Sequence, residues 1–371
     1  MNICVYIPTA SFFVGGGEIV PLMQAKFLSK LEHNITVVVL KVQEETSYFE
    51  NFKKENVNIN FDYMEATYAT RDLPYEKRKV DHDLGHDMYF NLARSFEKYC
   101  SDKKFDVVIT HYAPASISVP KDIKQILFLH GVPDSIQTIN KVAVNVADCL
   151  VAVSQSVADG WNELYKAQNI NVIHNGIDHN YFVKTDVQKT IDILYIGRLI
   201  EIKGVQFLID AIKILKEKGY NLNVVIGGKG PYEETLKGLV NNNSLADTIK
   251  FIGYVPDEDL VDYYNRSKIV VLPSYSKEGV LTTLLEASSC QTGVITSDCC
   301  GMKELVKDGV TGLLAVPKNS EDIANKIKLL IDNPSKADEL GKNARIEIEN
   351  NWTWEKSIQK LDFLIKELVK K

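Results

Sequence analysis

The chain has 371 residues, 45% hydrophobic and 25% charged, with a mean hydropathy of −0.11. At about 150 residues per domain this makes roughly two domains with sizeable cores and excludes a disordered chain. Lys plus Arg number 43 and Asp plus Glu 49, a formal charge of −6 that argues against phosphate neutralisation as the main business, so no nucleic-acid partner is expected.

The start, MNICVYIPTA, lacks the basic opening and long apolar stretch of a secretory signal and reads as a first strand. No apolar run approaches the 18 or so residues that span a bilayer. Six cysteines include no Cys-x-x-Cys pair, and Cys299 and Cys300 are adjacent. Reduced thiols in a cytoplasmic protein are the expectation.

Along the chain, β-branched runs at Ile3–Ile7, Ile35–Leu40, Asp106–Thr110, Gln125–Leu129 and Cys149–Val153 are apolar enough to be buried on both faces. Helical patterns separate them, among them Gly17–Leu31 and Asp83–Tyr99. Buried strands alternating with helices predict an α/β fold with a parallel sheet covered on both sides. The pattern restarts at Ile191–Ile196, Asn223–Ile226, Ile249–Phe251, Ile269–Leu272 and Val294–Thr296, after a polar stretch, His179–Thr190, that reads as an interdomain linker. Trp354, Ile358, Leu361, Ile365 and Leu368 then recur at helical spacing behind Thr353, a candidate N-cap. That helix is expected to dock its stripe on the body of the protein.

Ligands of open α/β sheets sit beyond the carboxyl ends of the strands. After the first strand come Gly15, Gly16 and Gly17, where a helix N-terminus offers N–H groups to an anion or a hydroxyl. A dinucleotide fingerprint needs a third glycine where Val20 stands, so a nicotinamide dehydrogenase ranks last. Leu127–Leu129 ends in His130-Gly131, and His111 also follows a strand; either imidazole can meet a substrate oxygen. In the second half, Arg198 follows Gly197 at a strand end, and Lys203 opens the next helix. Such a cation pair suits a pyrophosphate, with solvated surface charges as the plain alternative. Gly227–Pro231 forms a strand-to-helix turn containing Gly230. Glu278 and Glu286 lie eight residues apart, two turns if a helix starts near Gly279. Glu286, among Leu284, Leu285 and Ala287, needs donors, which sugar hydroxyls or a structural salt bridge could supply.

Asp81–Asp83 and Asp257–Asp259 match acidic metal triplets without following a buried strand, and His82 and His86 lack a third ligand, so no metal is expected. Phosphate-loop and nucleophile-elbow motifs are missing from the sequence. Lys77-Arg78-Lys79 sits among acids and reads as a solvated face.

Taken in order, these residues resemble the retaining nucleotide-sugar glycosyltransferases of family 4, which have the GT-B architecture. The resemblance rests on Gly15–Glu18, His130-Gly131, Val153-Ser154, His174–Asp178, Gly197–Leu199 with Lys203-Gly204, Gly228–Pro231, Glu278-Gly279 with Leu285–Ala287, Gly309–Leu313 and Trp352–Trp354. It implies two Rossmann-like domains facing each other across a cleft, residues 1–184 on the acceptor side and 185–352 on the nucleotide-sugar side. It also implies that the closing helix, 353–371, returns to the first domain.

By the same resemblance, Arg198 and Lys203 would neutralise the diphosphate, Glu278 would bind donor-sugar hydroxyls, and Glu286 the ribose. His130 would touch the sugar or its phosphate, and Gly16, Gly17, Gly197, Gly230, Gly279, Val280, Leu281 and Thr282 would line the donor site. A hexose or hexosamine linked to UDP or to another nucleotide is the implied donor, needing no metal cofactor. A carbohydrate or lipid-linked acceptor in surface polysaccharide or glycolipid assembly is the implied partner, with peripheral association at the inner face of the membrane compatible with it. The sequence departs from the family pattern at Glu278-Gly-Val-Leu-Thr282, where a second glycine is usual, and at Cys300-Gly301, where paired glycines are usual. A catalytically silent partner subunit and a UDP-sugar epimerase of the same fold are the competing readings.

Overall fold

The computed structural model describes residues 1–13, 15–65, 95–111, 113–133 and 136–370. The expected segment Asp83–Arg94, the acidic triplet at 81–83, His86 and the 77–79 basic run lie outside them. The chain divides into two compact units, Met1–His174 with Trp354–Lys371, and Asn175–Thr353.

The first unit is built on a parallel sheet of seven strands: β1 (Asn2–Tyr6), β2 (Asn34–Leu40), β3 (Asn60–Met64), β4 (Val107–Thr110), β5 (Lys124–Leu129), β6 (Cys149–Ala152) and β7 (Asn171–Val172). Their spatial order is β3-β2-β1-β4-β5-β6-β7. Ile3, Val5, Val37, Val39, Val107 and Ile109 are wholly buried, as expected of strands covered on both faces. The second unit repeats the plan with β8 (Ile191–Ile196), β9 (Val224–Gly227), β10 (Ile249–Gly253), β11 (Ser267–Leu272), β12 (Gly293–Ser297) and β13 (Leu313–Ala315), ordered β10-β9-β8-β11-β12-β13. Two doubly wound parallel sheets are therefore the architecture, and the ten strands read from the sequence are all present. The three it missed, β3, β7 and β13, lie at sheet edges, where strands are short or carry polar residues such as Asn60, Asp62 and Asn171.

The helix Trp354–Val369 belongs to the first unit. Trp354, Ile358, Leu361 and Ile365 form one buried stripe against the core that includes Phe27 and Leu28 of the helix Gly16–Ser29. Burial of each such large side chain contributes about 1.5–3 kcal/mol. The seam is fixed by a 2.8 Å contact from His33 Nε2 to Asp362 Oδ1 and a 2.7 Å bond from Ser357 Oγ to the His174 carbonyl.

The stretch 179–190 is no free linker. Phe182 sits in the second unit's core, edge-on to Tyr264 with ring centroids 6.4 Å apart. Arg345 Nη1 donates to the carbonyls of His179, Phe182 and Ser289 at 2.9, 2.9 and 3.0 Å. The polar side chains suggested a tether because the carbonyls, which carry the attachment, are invisible in composition. Arg345→Ala is expected to cost about 2–4 kcal/mol, since three buried acceptors lose one charged donor. Urea unfolding checks this, with Lys336→Ala, a surface pair with Glu339, as the near-neutral control.

Candidate functional site

In the second unit the strand order reverses between β8 and β11, the place where doubly wound sheets bind ligands. The two loops that leave these strands carry the site. From β8 come Gly197, Arg198 and, in the turn Glu201–Lys203, the buried lysine; from β11 comes Glu278. Lys203 Nζ is ion-paired with Glu278 Oε2, and Arg198 Nη2 lies 3.6 Å from Glu278 Oε1. One carboxylate thus bridges two cations. Burial pulls the Lys203 ammonium below its usual range, and the Glu278 carboxylate only partly restores it. Arg198, with 67% of its side chain exposed, remains available to a ligand.

Glycines let the loops stack on one another. Gly204, in the left-handed region at φ +74°, would place a Cβ 2.0 Å from the Pro273 carbonyl. At Gly228, φ +130°, a Cβ would fall 1.8 Å from the Gly197 carbonyl. Gly230 similarly faces the Leu199 carbonyl, and Leu199 N donates back to Lys229 O at 2.9 Å. Backbone from three strand ends is therefore held in direct contact, which leaves Arg198 and Lys203 little freedom to spread apart.

The helix expected near Gly279 begins instead at Thr282 and runs to Ser289. Residues 278–281 stay non-helical because Gly301 packs its backbone on Gly279 and Val280 and donates to the Glu278 carbonyl at 3.3 Å. Cys300, where the family pattern has glycine, adopts φ +52° to allow it. The Val280 side chain is committed to the core, so it can offer a ligand only backbone, and Leu281 and Thr282 are half-buried at the helix start. Glu286 lies in the helix itself. Its Oε2 accepts a 2.6 Å bond from Tyr264 Oη, so its structural partner is a phenol and, among the described residues, no salt bridge forms. Burial raises the Glu286 carboxyl to about 7 despite that bond, with Asp257 adding to the rise. Tyr264 was not singled out in the sequence, although its spacing from Leu260 on one helix face marks it as an inward position.

The first unit presents the remaining candidates. Gly16 and Gly17 open the helix Gly16–Ser29, and a Cβ at Gly16 would meet nothing within 4 Å. Glu18, buried in the same first turn, accepts a 2.8 Å bond from Thr9 Oγ1. A carboxylate already placed at this helix start suits a neutral hydroxyl better than a phosphate. His130 follows β5 and His111 follows β4, and the two rings are hydrogen-bonded at 2.8 Å, His111 Nδ1 to His130 Nε2. Burial holds both below the usual histidine range, His130 at about 4, and each is neutral at pH 7. Among the described residues no group of three or more His, Cys, Asp or Glu side chains could hold a metal, and no helix is long and apolar enough to cross a membrane.

Comparison with known proteins bears on the family and the fold. Residues 14–181 match the family model "Glycosyltransferase Family 4", and residues 178–347 match "Glycosyl transferases group 1". An uncharacterised glycosyltransferase of Haemophilus influenzae is 26% identical over 351 residues, 91% of this chain and 92% of that one. One from Methanocaldococcus jannaschii is 30% identical over 246 residues, 63% and 62%. Among solved structures, sucrose-phosphate synthase from Thermosynechococcus elongatus superposes with a TM-score of 0.82 at 20% identity, covering 99% of this chain and 98% of that one. Anabaena HepE in complex with UDP gives a TM-score of 0.77 at 18% identity, covering 99% and 100%. Two family models that together take in almost the whole chain, on a fold shared with GT-B enzymes, place this protein among the family 4-like nucleotide-sugar glycosyltransferases.

Proposed function

We propose that the chain moves a hexose or hexosamine from a UDP-sugar to a carbohydrate or lipid-linked acceptor, with retention of anomeric configuration and without a metal cofactor. The observation that carries the reading is the carboxylate of Glu278 shared between Lys203 and Arg198 at the strand-order reversal. Glu278 balances both cations. A diphosphate entering there takes over that charge and releases Glu278 to accept from sugar hydroxyls. As the glycosidic bond breaks, negative charge grows on the departing phosphate, where Arg198 and Lys203 stabilise it. Two cations at this point supply what a metal otherwise would. Glu286, held by Tyr264 through one oxygen, keeps the other for the ribose hydroxyls, and backbone of Gly197, Gly230, Gly279, Val280, Leu281 and Thr282 frames the donor.

In the first unit, His130 suits an oxygen of a sugar or its phosphate, and the open helix start at Gly16 and Gly17 suits a sugar hydroxyl. Same-face attack by the acceptor needs no side-chain nucleophile. The UDP-bound forms of HepE and of Staphylococcus aureus TarM support a uridine donor by analogy. We place the reaction in cytoplasmic assembly of a surface polysaccharide or glycolipid, at the inner face of the membrane. Both cations and both glutamates persist, which disfavours a catalytically silent subunit.

A thermal-shift panel of UDP-, GDP- and ADP-sugars should give its largest rise with a UDP-sugar, and no rise with any of them removes the reading. Arg198→Ala and Glu286→Ala should each lower kcat/KM by about 10²–10³ in a folded protein, measured against the donor that the panel selects. Anomeric NMR of the first-formed product checks retention.

Glu286 also couples site and stability. Its folded pKa of about 7 exceeds the ordinary 4.5, so the folded protein holds more protons between those values and stability falls as pH rises through that window. Glu286→Gln keeps an acceptor for Tyr264 and removes the charge. It should therefore raise the melting temperature at pH 8 by several degrees, a gain on the order of 1–3 kcal/mol, and leave it nearly unchanged at pH 4. Equal shifts at both pH values would contradict the assignment.

A further inference from the structure

The carboxyl ends of β4 and β5 set two imidazoles side by side, and their pairing constrains where protons reside. His111 is 5% exposed, stacked on Phe128 with centroids 4.9 Å apart, and meets His130 edge to edge with centroids 5.1 Å apart. Its Nδ1 lies 2.8 Å from His130 Nε2, and its own Nε2 is enclosed without a partner among the described residues. His130 is half-buried, and its Nδ1 is neither enclosed nor bonded to any described residue.

One proton must lie between the facing nitrogens, because two lone pairs at that distance repel and two N–H groups collide. Both rings are neutral, so two arrangements remain. If His130 Nε2 donates, His111 carries its proton on Nε2, and a buried N–H is orphaned. If His111 Nδ1 donates, the orphan is a lone pair, and His130 carries its own proton on Nδ1. An orphaned buried N–H is the rarer and costlier of the two.

We infer that His111 is a positioning residue that donates from Nδ1 to His130 Nε2, and so fixes His130 as a neutral hydrogen-bond donor through Nδ1. What that N–H meets rests on the proposed function: an oxygen of the donor's sugar or phosphate. The tautomer itself does not rest on it. A ring held this way has no lone pair at its open nitrogen, so His130 binds an acceptor oxygen and cannot take a proton from the attacking hydroxyl. An unconstrained neutral histidine favours the Nε2–H form, so the arrangement is one that His111 must impose.

Nitrogen-15 and carbon-13 NMR of histidine-labelled full-length protein at pH 7.5 reads the tautomer directly. The expected spectrum has His130 protonated on Nδ1, and protonation on Nε2 overturns the inference. His111→Phe keeps the stack and removes the donor. It should turn His130 to the Nε2–H form and raise the donor KM about tenfold while leaving the fold intact, as loss of one oriented hydrogen bond does. His111→Asn, which can donate from the same position, should restore both. A His130 tautomer unchanged in His111→Phe also overturns the inference. Should His111→Phe fail to fold, the wild-type spectrum and His111→Asn still decide it. If the wild-type spectrum is as expected and no sugar is transferred from any nucleotide, the tautomer stands and the transferase reading falls.

Discussion

A buried lysine needs a carboxylate. Lys203 sits in a turn whose backbone is pressed against the loop from β11, and Glu278 on that second loop answers its charge. An ammonium buried without such a partner would either lose its proton or open the loop. The requirement therefore locks together two loops that are 75 residues apart in sequence. The stacked glycines make the approach possible, and the ion pair makes it worthwhile. Everything proposed for the diphosphate follows from this arrangement, because a ligand that replaces one negative charge by another leaves the buried lysine satisfied throughout.

The two units divide the electrostatic work. The second holds its charges in opposition, with two cations facing one carboxylate. The first presents paired imidazoles that lose their charge to burial, and a Glu18 side chain already engaged at the helix start.

Much of the fold was legible because β-branched runs buried on both faces leave an unmistakable apolar signature, as in Ile35–Leu40 and Ile269–Leu272. Three of the four edge strands were not, since pairing on one side permits polar residues such as Asn171. Arg198, Lys203 and Glu278 could be found as residue types at strand ends, but their union through one carboxylate depends on strand order, which no local pattern encodes. Tyr264 escaped because a tyrosine on an inward stripe looks like packing until its hydroxyl has an address. The helix start slid from Gly279 to Thr282 for a reason lodged elsewhere in the chain, the close approach of Gly301. The His111–His130 pair illustrates the same point: two strand-end histidines were visible singly, and only the adjacency of β4 and β5 turns them into a unit.

The return of the helix Trp354–Val369 to the first unit has a bearing on how the chain is made. Synthesis delivers residues 1–174 first, yet their core lacks Trp354, Ile358, Leu361 and Ile365 until the whole of Asn175–Thr353 has been made. The contiguous second unit can complete itself on emergence, whereas the earlier one must wait with an apolar face uncovered. The unit translated first is thereby the one whose core is closed last.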